Sequence, residues 1–369
     1  MCALDPKFNE SVDRKRGKGR GGNFFAVDRG TWEELWTLDT TNRINFVLMY
    51  LVISAGTGSD HQLSKWSTKA CERYTGLGKP RAKVAVDELV SHGFIKHTER
   101  STKAFPQYQL PGIPSDADPI FLPIALVTGL SVEASILRRV RETGDPLILR
   151  MLIDLYGMIQ LDATFGVPIE ALSQLPSEEY PTRKAFEVGV HAIWALRLSG
   201  TKSASGVWTR VHNEAQNAEG NWVRFWARVG ILEQIGVIYY EPWVFDSVAL
   251  DAEPLFPVCL EYPPSSNSHE DAKGLTQIML SAVEALSQER MYILENYGED
   301  LLVPLSAHRQ MPSIRGVARV RINADTPGYR FSYQQRKSQM ETYYSGYVQI
   351  IKDVAQDNFG RPVNTSLPR

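Results

Sequence analysis

A chain of 369 residues exceeds the usual size of a single hydrophobic core, so two or three domains are expected. With 43% hydrophobic and 22% charged residues it has the make-up of an ordinary globular protein, which excludes the fibrous and disordered classes. The net charge of -2 names no partner, but residues 1–110 hold 17 Lys+Arg against 12 Asp+Glu, so the remaining 259 carry an excess of seven acids.

Cys2, Cys71 and Cys259 are odd in number and widely scattered, which makes neither a disulfide framework nor a metal cluster and suits a reducing cytosol. The opening MCALDPKFNE lacks the apolar core of a signal peptide, and the longest apolar run, INFVLMYLVISAG, is too short to span a bilayer. A soluble, cytoplasmic protein with no membrane partner is expected.

Residues 1–22 include RKRGKGRGG, in which Arg14, Lys15, Arg16, Lys18 and Arg20 alternate with glycine. Such a segment buries nothing and reads as a disordered basic arm, either following nucleic-acid phosphates or merely solubilising the chain. Residues 23–112 form the first expected domain. From Asn42 the residues Ile44, Val47, Leu48, Leu51 and Val52 recur at helical spacing. A second helix is expected across SKWSTKACERYTG, capped by Ser64 or Ser67 and stopped by Gly76. A third begins near Pro80, where the missing N–H costs nothing, and buries Ala82, Ala85, Val86, Leu89 and Val90 before Gly93 closes it. Phe94 and Ile95 open a strand, ERSTK is a polar tip, and FPQYQL returns as its partner.

The stretch TGLGKPRAKVAVDELVSHGFI resembles the second and third helices of winged helix-turn-helix proteins, and the resemblance covers Asn42 to Leu110. It implies that the third helix lies in a DNA major groove with its N-terminal residues at the bases. Those residues are Lys79, Arg81 and Lys83; Arg81 and Lys83 turn away from the apolar stripe. An arginine can grip guanine O6 and N7 together, whereas a lysine is a point charge for phosphate or base. Lys83 can instead pair with Asp87 four residues on, as on any solvated helix, and Asp87 and Glu88 would repel phosphate farther along. Lys96, Arg100 and Lys103, with His97, place more charge on the hairpin, the wing of this arrangement.

Residues 113–144 read as a Pro-rich acidic linker followed by a connecting helix, SVEASILRRVRETG. Residues 145–255 repeat the pattern of helix, Gly-Val-Ile and strand, and are expected to form a second, degenerate winged helix. Its candidate DNA-facing cations are Arg224 and Arg228, with Arg210 and His212 nearby, while Trp222, Trp226 and Trp243 fit a core. Residues 256–273 read as an acidic Pro/Ser-rich linker that phosphate avoids. Residues 274–369 are expected to hold an amphipathic helix (274–297), an arginine-faced hairpin and a closing helix. In IRGVARVRINADTPGYRF the alternation places Arg319 and Arg321 on one strand face, as a phosphate-contacting ribbon or an acid-binding interface.

The fold class expected is therefore mostly α with small β-hairpins (α+β): two winged-helix domains and a C-terminal α+β region. No histidine spacing fits zinc, and no phosphate-binding glycine loop appears. Tyr343 and Tyr347 are spaced as in relaxase nucleases but lack the histidine motif those need, so no enzyme, cofactor or metal is expected. The expected partner is double-stranded DNA, possibly bound by a homodimer, with a role as a bacterial, plasmid or phage replication initiator or a transcriptional regulator. The alternative is an interaction subunit whose winged helices dock other proteins.

Overall fold

The computed structural model describes residues 23–114, 116–129, 134–159, 166–176, 182–188, 191–197, 202–205, 223–249, 251–258, 260, 300–306, 311–321 and 327–357. The basic arm, with Arg14, Lys15, Arg16, Lys18 and Arg20, lies outside the described residues, as do Arg210, His212 and the 274–297 helix. Two compact units divide the chain between Leu149 and Arg150. Both mix helices with small antiparallel sheets, and no described helix is long and apolar enough to cross a membrane.

The first unit is organised by α2 (Arg43–Ala55), which follows α1 (Arg29–Thr37). Asn42 caps α2 by accepting the Asn45 N–H at 3.1 Å, and every residue from Phe46 to Ala55 is buried. A helix apolar on all sides belongs in the middle of a core, and the neighbouring elements surround it. They include α3 (Thr68–Thr75) and α4 (Lys79–Ser91), joined by the turn Gly76–Leu77–Gly78. Gly76 sits at φ 70°, the left-handed backbone a glycine allows, and its N–H returns to Glu72 O at 3.0 Å. Ala82, Ala85, Val86 and Leu89 are the buried face of α4, while Val90, expected among them, is half-buried.

β2 (Leu63–Ser64), β3 (Lys96–His97) and β4 (Tyr108–Gln109) form a three-stranded sheet in the order β2-β4-β3. Phe94 and Ile95, expected to start a strand, are buried just ahead of β3, with the Phe94 ring edge-on to Phe46 at 5.9 Å. The segment 113–144, expected to be a linker and a helix connecting to the next domain, belongs to this unit, and the expected helix is present in it. Its β5 (Ile120–Pro123) pairs antiparallel with β1 (Phe24–Val27), from Phe24 opposite Pro123 to Val27 opposite Ile120. After α5 (Ala125–Thr128), α6 (Ile136–Glu142) buries Ile136, Leu137 and Val140. Ser135 Oγ donates to Tyr74 O at 2.7 Å and Arg141 Nε to Thr75 O at 2.8 Å, so α6 satisfies the last carbonyls of α3.

The second unit begins within α7 (Pro146–Gly157). It contains β6 (Leu172–Gln174), β7 (Arg183–Val188), β8 (His191–Leu196), β9 (Lys202–Ala204), α8 (Val223–Gln234), β10 (Ile238–Phe245), β11 (Pro254–Pro257), β12 (Leu301–Ser306), β13 (Ser313–Val320) and α9 (Pro327–Asp357). One sheet runs β11-β10-β13-β6-β9 and another β12-β8-β7, with every pairing antiparallel. This corrects three expected boundaries. β13 pairs with β10 along its length, Ile238 opposite Val320 and Phe245 opposite Ser313, so 145–255 does not close as a domain of its own. β11 turns part of the acidic linker into a sheet edge. The expected return strand of the arginine hairpin is instead helical from Pro327, and Tyr343 of that helix stacks on Phe256 at 4.1 Å.

Candidate nucleic-acid interface

On α4 the local geometry fixes what the solvent sees. Each residue advances about 100° around the axis, so burying Ala82, Ala85, Val86 and Leu89 leaves Lys79, Arg81 and Lys83 exposed. Lys79 Nζ lies 3.6 Å from Glu72 on α3, with both side chains about half exposed or more, a pair worth little in water. Of the acids farther along α4, Glu88 turns to a flank, where its Oε1 accepts the Thr41 N–H at 3.1 Å. Asp87 is exposed in the third turn; burial raises the Tyr108 phenol and the charge of Asp87 adds to that shift. The first two turns of α4 thus remain cationic.

The hairpin after α4 is ordered by its own hydrogen bonds. Thr98 N–H donates to Gln107 O at 3.2 Å, Ser101 N–H to Thr98 O at 3.0 Å, and Thr102 N–H to Phe105 O at 3.2 Å. Ser101 Oγ accepts the Gln107 N–H and Thr102 Oγ1 the Phe105 N–H, each at 3.0 Å. Lys96, Arg100 and Lys103 are exposed on this frame, and Phe105 is 76% exposed at its tip. The His97 ring packs 5.1 Å from Tyr108 with Nδ1 3.3 Å from Ser101 Oγ.

Sequence reasoning missed Arg138 and Arg141, which α6 brings beside the turn between α3 and α4. Their charges are shared with Glu142, at 3.0 Å and 3.7 Å respectively. The run RRVRE was the available signal, read as part of a helix leading to the next domain, which did not show that it packs beside this turn.

In the second unit two of the four expected DNA-facing arginines are buried. Arg228 is 6% exposed and Arg319 5% exposed, which removes both from the solvent side where a phosphate would sit. Arg319 Nε lies 3.6 Å from Glu241 Oε2, diagonally across the β10–β13 ladder, since Arg319 is in register with Tyr239. The same carboxylate meets Arg336 of α9, whose Nε is 3.3 Å from Oε1, and accepts Trp243 Nε1–H at 2.9 Å. Arg336 Nη1 donates to Ser332 Oγ at 2.6 Å. This is an interior ion cluster joining β10, β13 and α9. Arg315, also buried, packs over the Phe245 ring at 4.8 Å, and loss of water lowers its pKa. Arg321 is half-buried with its guanidinium 5.7 Å from the Tyr239 ring, and Arg224 alone of the four is exposed.

Among the described residues no three His, Cys, Asp or Glu side chains gather to hold a metal ion. No known protein family, curated protein or solved structure matches the chain.

Proposed function

We propose that the chain binds double-stranded DNA through its first unit, with α4 as the recognition helix of a winged helix-turn-helix. The single observation that carries this reading is the cationic surface formed by Lys79, Arg81 and Lys83 on α4 and Lys96, Arg100 and Lys103 on the adjoining hairpin, all exposed. The element order supports it: helix, strand, helix, helix and two strands, with the sheet order β2-β4-β3. In such a frame the N-terminal turns of α4 meet base edges and the hairpin meets backbone phosphates. The basic arm ahead of Asn23 adds sequence-independent attraction. Of the arginines expected to face DNA in the second unit, Arg228 and Arg319 are buried, Arg321 is half-buried and Arg224 is exposed. A replication initiator or transcriptional regulator working in a bacterial cytoplasm fits an activity of this kind, and binding rather than catalysis is the function proposed.

The test is titration of the full chain against random-sequence duplexes over a range of salt concentrations. Neutralising the phosphates facing these cations gives a log–log slope of about −4 to −5. A flat salt response, or no binding at low salt, overturns the reading in favour of protein docking. Within a tight-binding sequence, Arg81→Ala costs about 1–3 kcal/mol if the guanidinium grips a guanine, but much less on random DNA.

A further inference from the structure

Val84 is 48% exposed on a helix whose other apolar side chains, Pro80 apart, are buried or half-buried. Single exposed apolar residues are ordinary, so exposure alone carries nothing. Position does. Taking the centre of the buried face as reference, Pro80, Val84, Asp87 and Ser91 lie about opposite it, while Arg81 and Lys83 lie about a quarter turn to either side. The line of α4 that would enter a groove deepest is therefore apolar at Pro80 and Val84 in its first two turns, bordered there by cations, and turns acidic at Asp87 in the third. Glu88 is engaged by the Thr41 N–H on one flank and does not cover Val84.

The edges of bases in the major groove offer hydrogen-bond donors and acceptors and one apolar group, the C5-methyl of a pyrimidine. We propose that Val84 reads a pyrimidine C5-methyl in the major groove, with Arg81 and Lys83 fixing the helix over the flanking bases and phosphates. This rests on the DNA-binding reading and adds to it the chemical class of base selected. Thymine and 5-methylcytosine both carry the group.

The test uses the full chain and the tightest duplexes it selects from a random pool. Each is resynthesised with deoxyuridine for thymidine at every position in turn, and separately with 5-methyldeoxycytidine for deoxycytidine. Affinities are read by fluorescence anisotropy at fixed salt. If thymine is read, one deoxyuridine position weakens binding about fourfold, the worth of one buried methyl, and Val84→Ala removes that difference. If methylated cytosine is read, one 5-methyl position strengthens binding to a similar degree, again only with Val84 present. Val248→Ala, an exposed apolar side chain of the second unit, keeps the difference in either case. Salt-dependent binding indifferent to every methyl, or a methyl effect that survives Val84→Ala, overturns the inference and leaves DNA binding standing. Absence of binding to the pool overturns both.

Discussion

Replacing Glu241 by alanine tests whether the interior arginines of the second unit are held by charge. Glu241 is 2% exposed, Arg319 5% and Arg336 0%, so the attraction between them is screened by little water. Removing the carboxylate takes the counter-charge from Arg336 Nε at 3.3 Å and from Arg319 Nε at 3.6 Å, and the acceptor from Trp243 Nε1 at 2.9 Å. Breaking a buried pair by deleting one partner costs about 3–5 kcal/mol, because the remaining charge stays in the interior. Glu241→Gln keeps an acceptor for the indole and should recover about 1 kcal/mol of that loss. Since the chain has two units, the assay is amide hydrogen exchange of β10 and β13 beside that of α2, which reports the units separately. Protection in β10 and β13 should fall by the amount stated while α2 keeps its own. A loss below about 1 kcal/mol, or equal losses in both units, would refute the view that Glu241 neutralises this cluster.

Leu89→Ala, at a fully buried position on α4, should destabilise the first unit by about 2–5 kcal/mol, whereas the exposed Lys103→Ala should leave it within about 0.5 kcal/mol; denaturant unfolding compares them. Gly56→Ala should be worse tolerated than its single methyl suggests, because the added Cβ falls 2.4 Å from Trp66 Cγ and 2.6 Å from Ser64 Oγ, and the loss of thermal stability measures this. The Cys71 thiol is pushed up to about 11 by burial, with Thr75 and Arg141 pulling the other way. It should therefore resist iodoacetamide at pH 8 in the folded chain and react once the chain is unfolded, as read by mass spectrometry. Burial also raises the phenols of Tyr50, Tyr156 and Tyr240. For acids raised in the fold, the stabilisation is complete below the unfolded values and disappears as pH rises through the folded ones. Stability should thus decline above about pH 9, and denaturant midpoints at pH 7 and pH 10 that coincide would count against it.

The helices α2, α3, α4 and α6 of the first unit were legible in the sequence because a helix is set by neighbours in the chain, whereas α1 and α5 had no such reading. The apolar spacing from Ile44 to Val52, the Asn42 cap, the Gly76 stop and the Ala82–Leu89 stripe all act within a few residues, and they also decide that Arg81 and Lys83 face solvent. Strand partners are set by residues far away, which no local pattern names. Nothing near Phe24 says that it lies opposite Pro123, or near Ile238 that it lies opposite Val320. The alternating valines and arginines of β13 read as a strand with one wet face, the ordinary meaning of a period of two. Only the tertiary structure supplied Glu241 from β10 and Arg336 from α9, and with them an interior where a paired arginine can be buried. Charge on a helix declares its side by spacing, whereas charge on a central strand takes its side from whatever the fold packs against it.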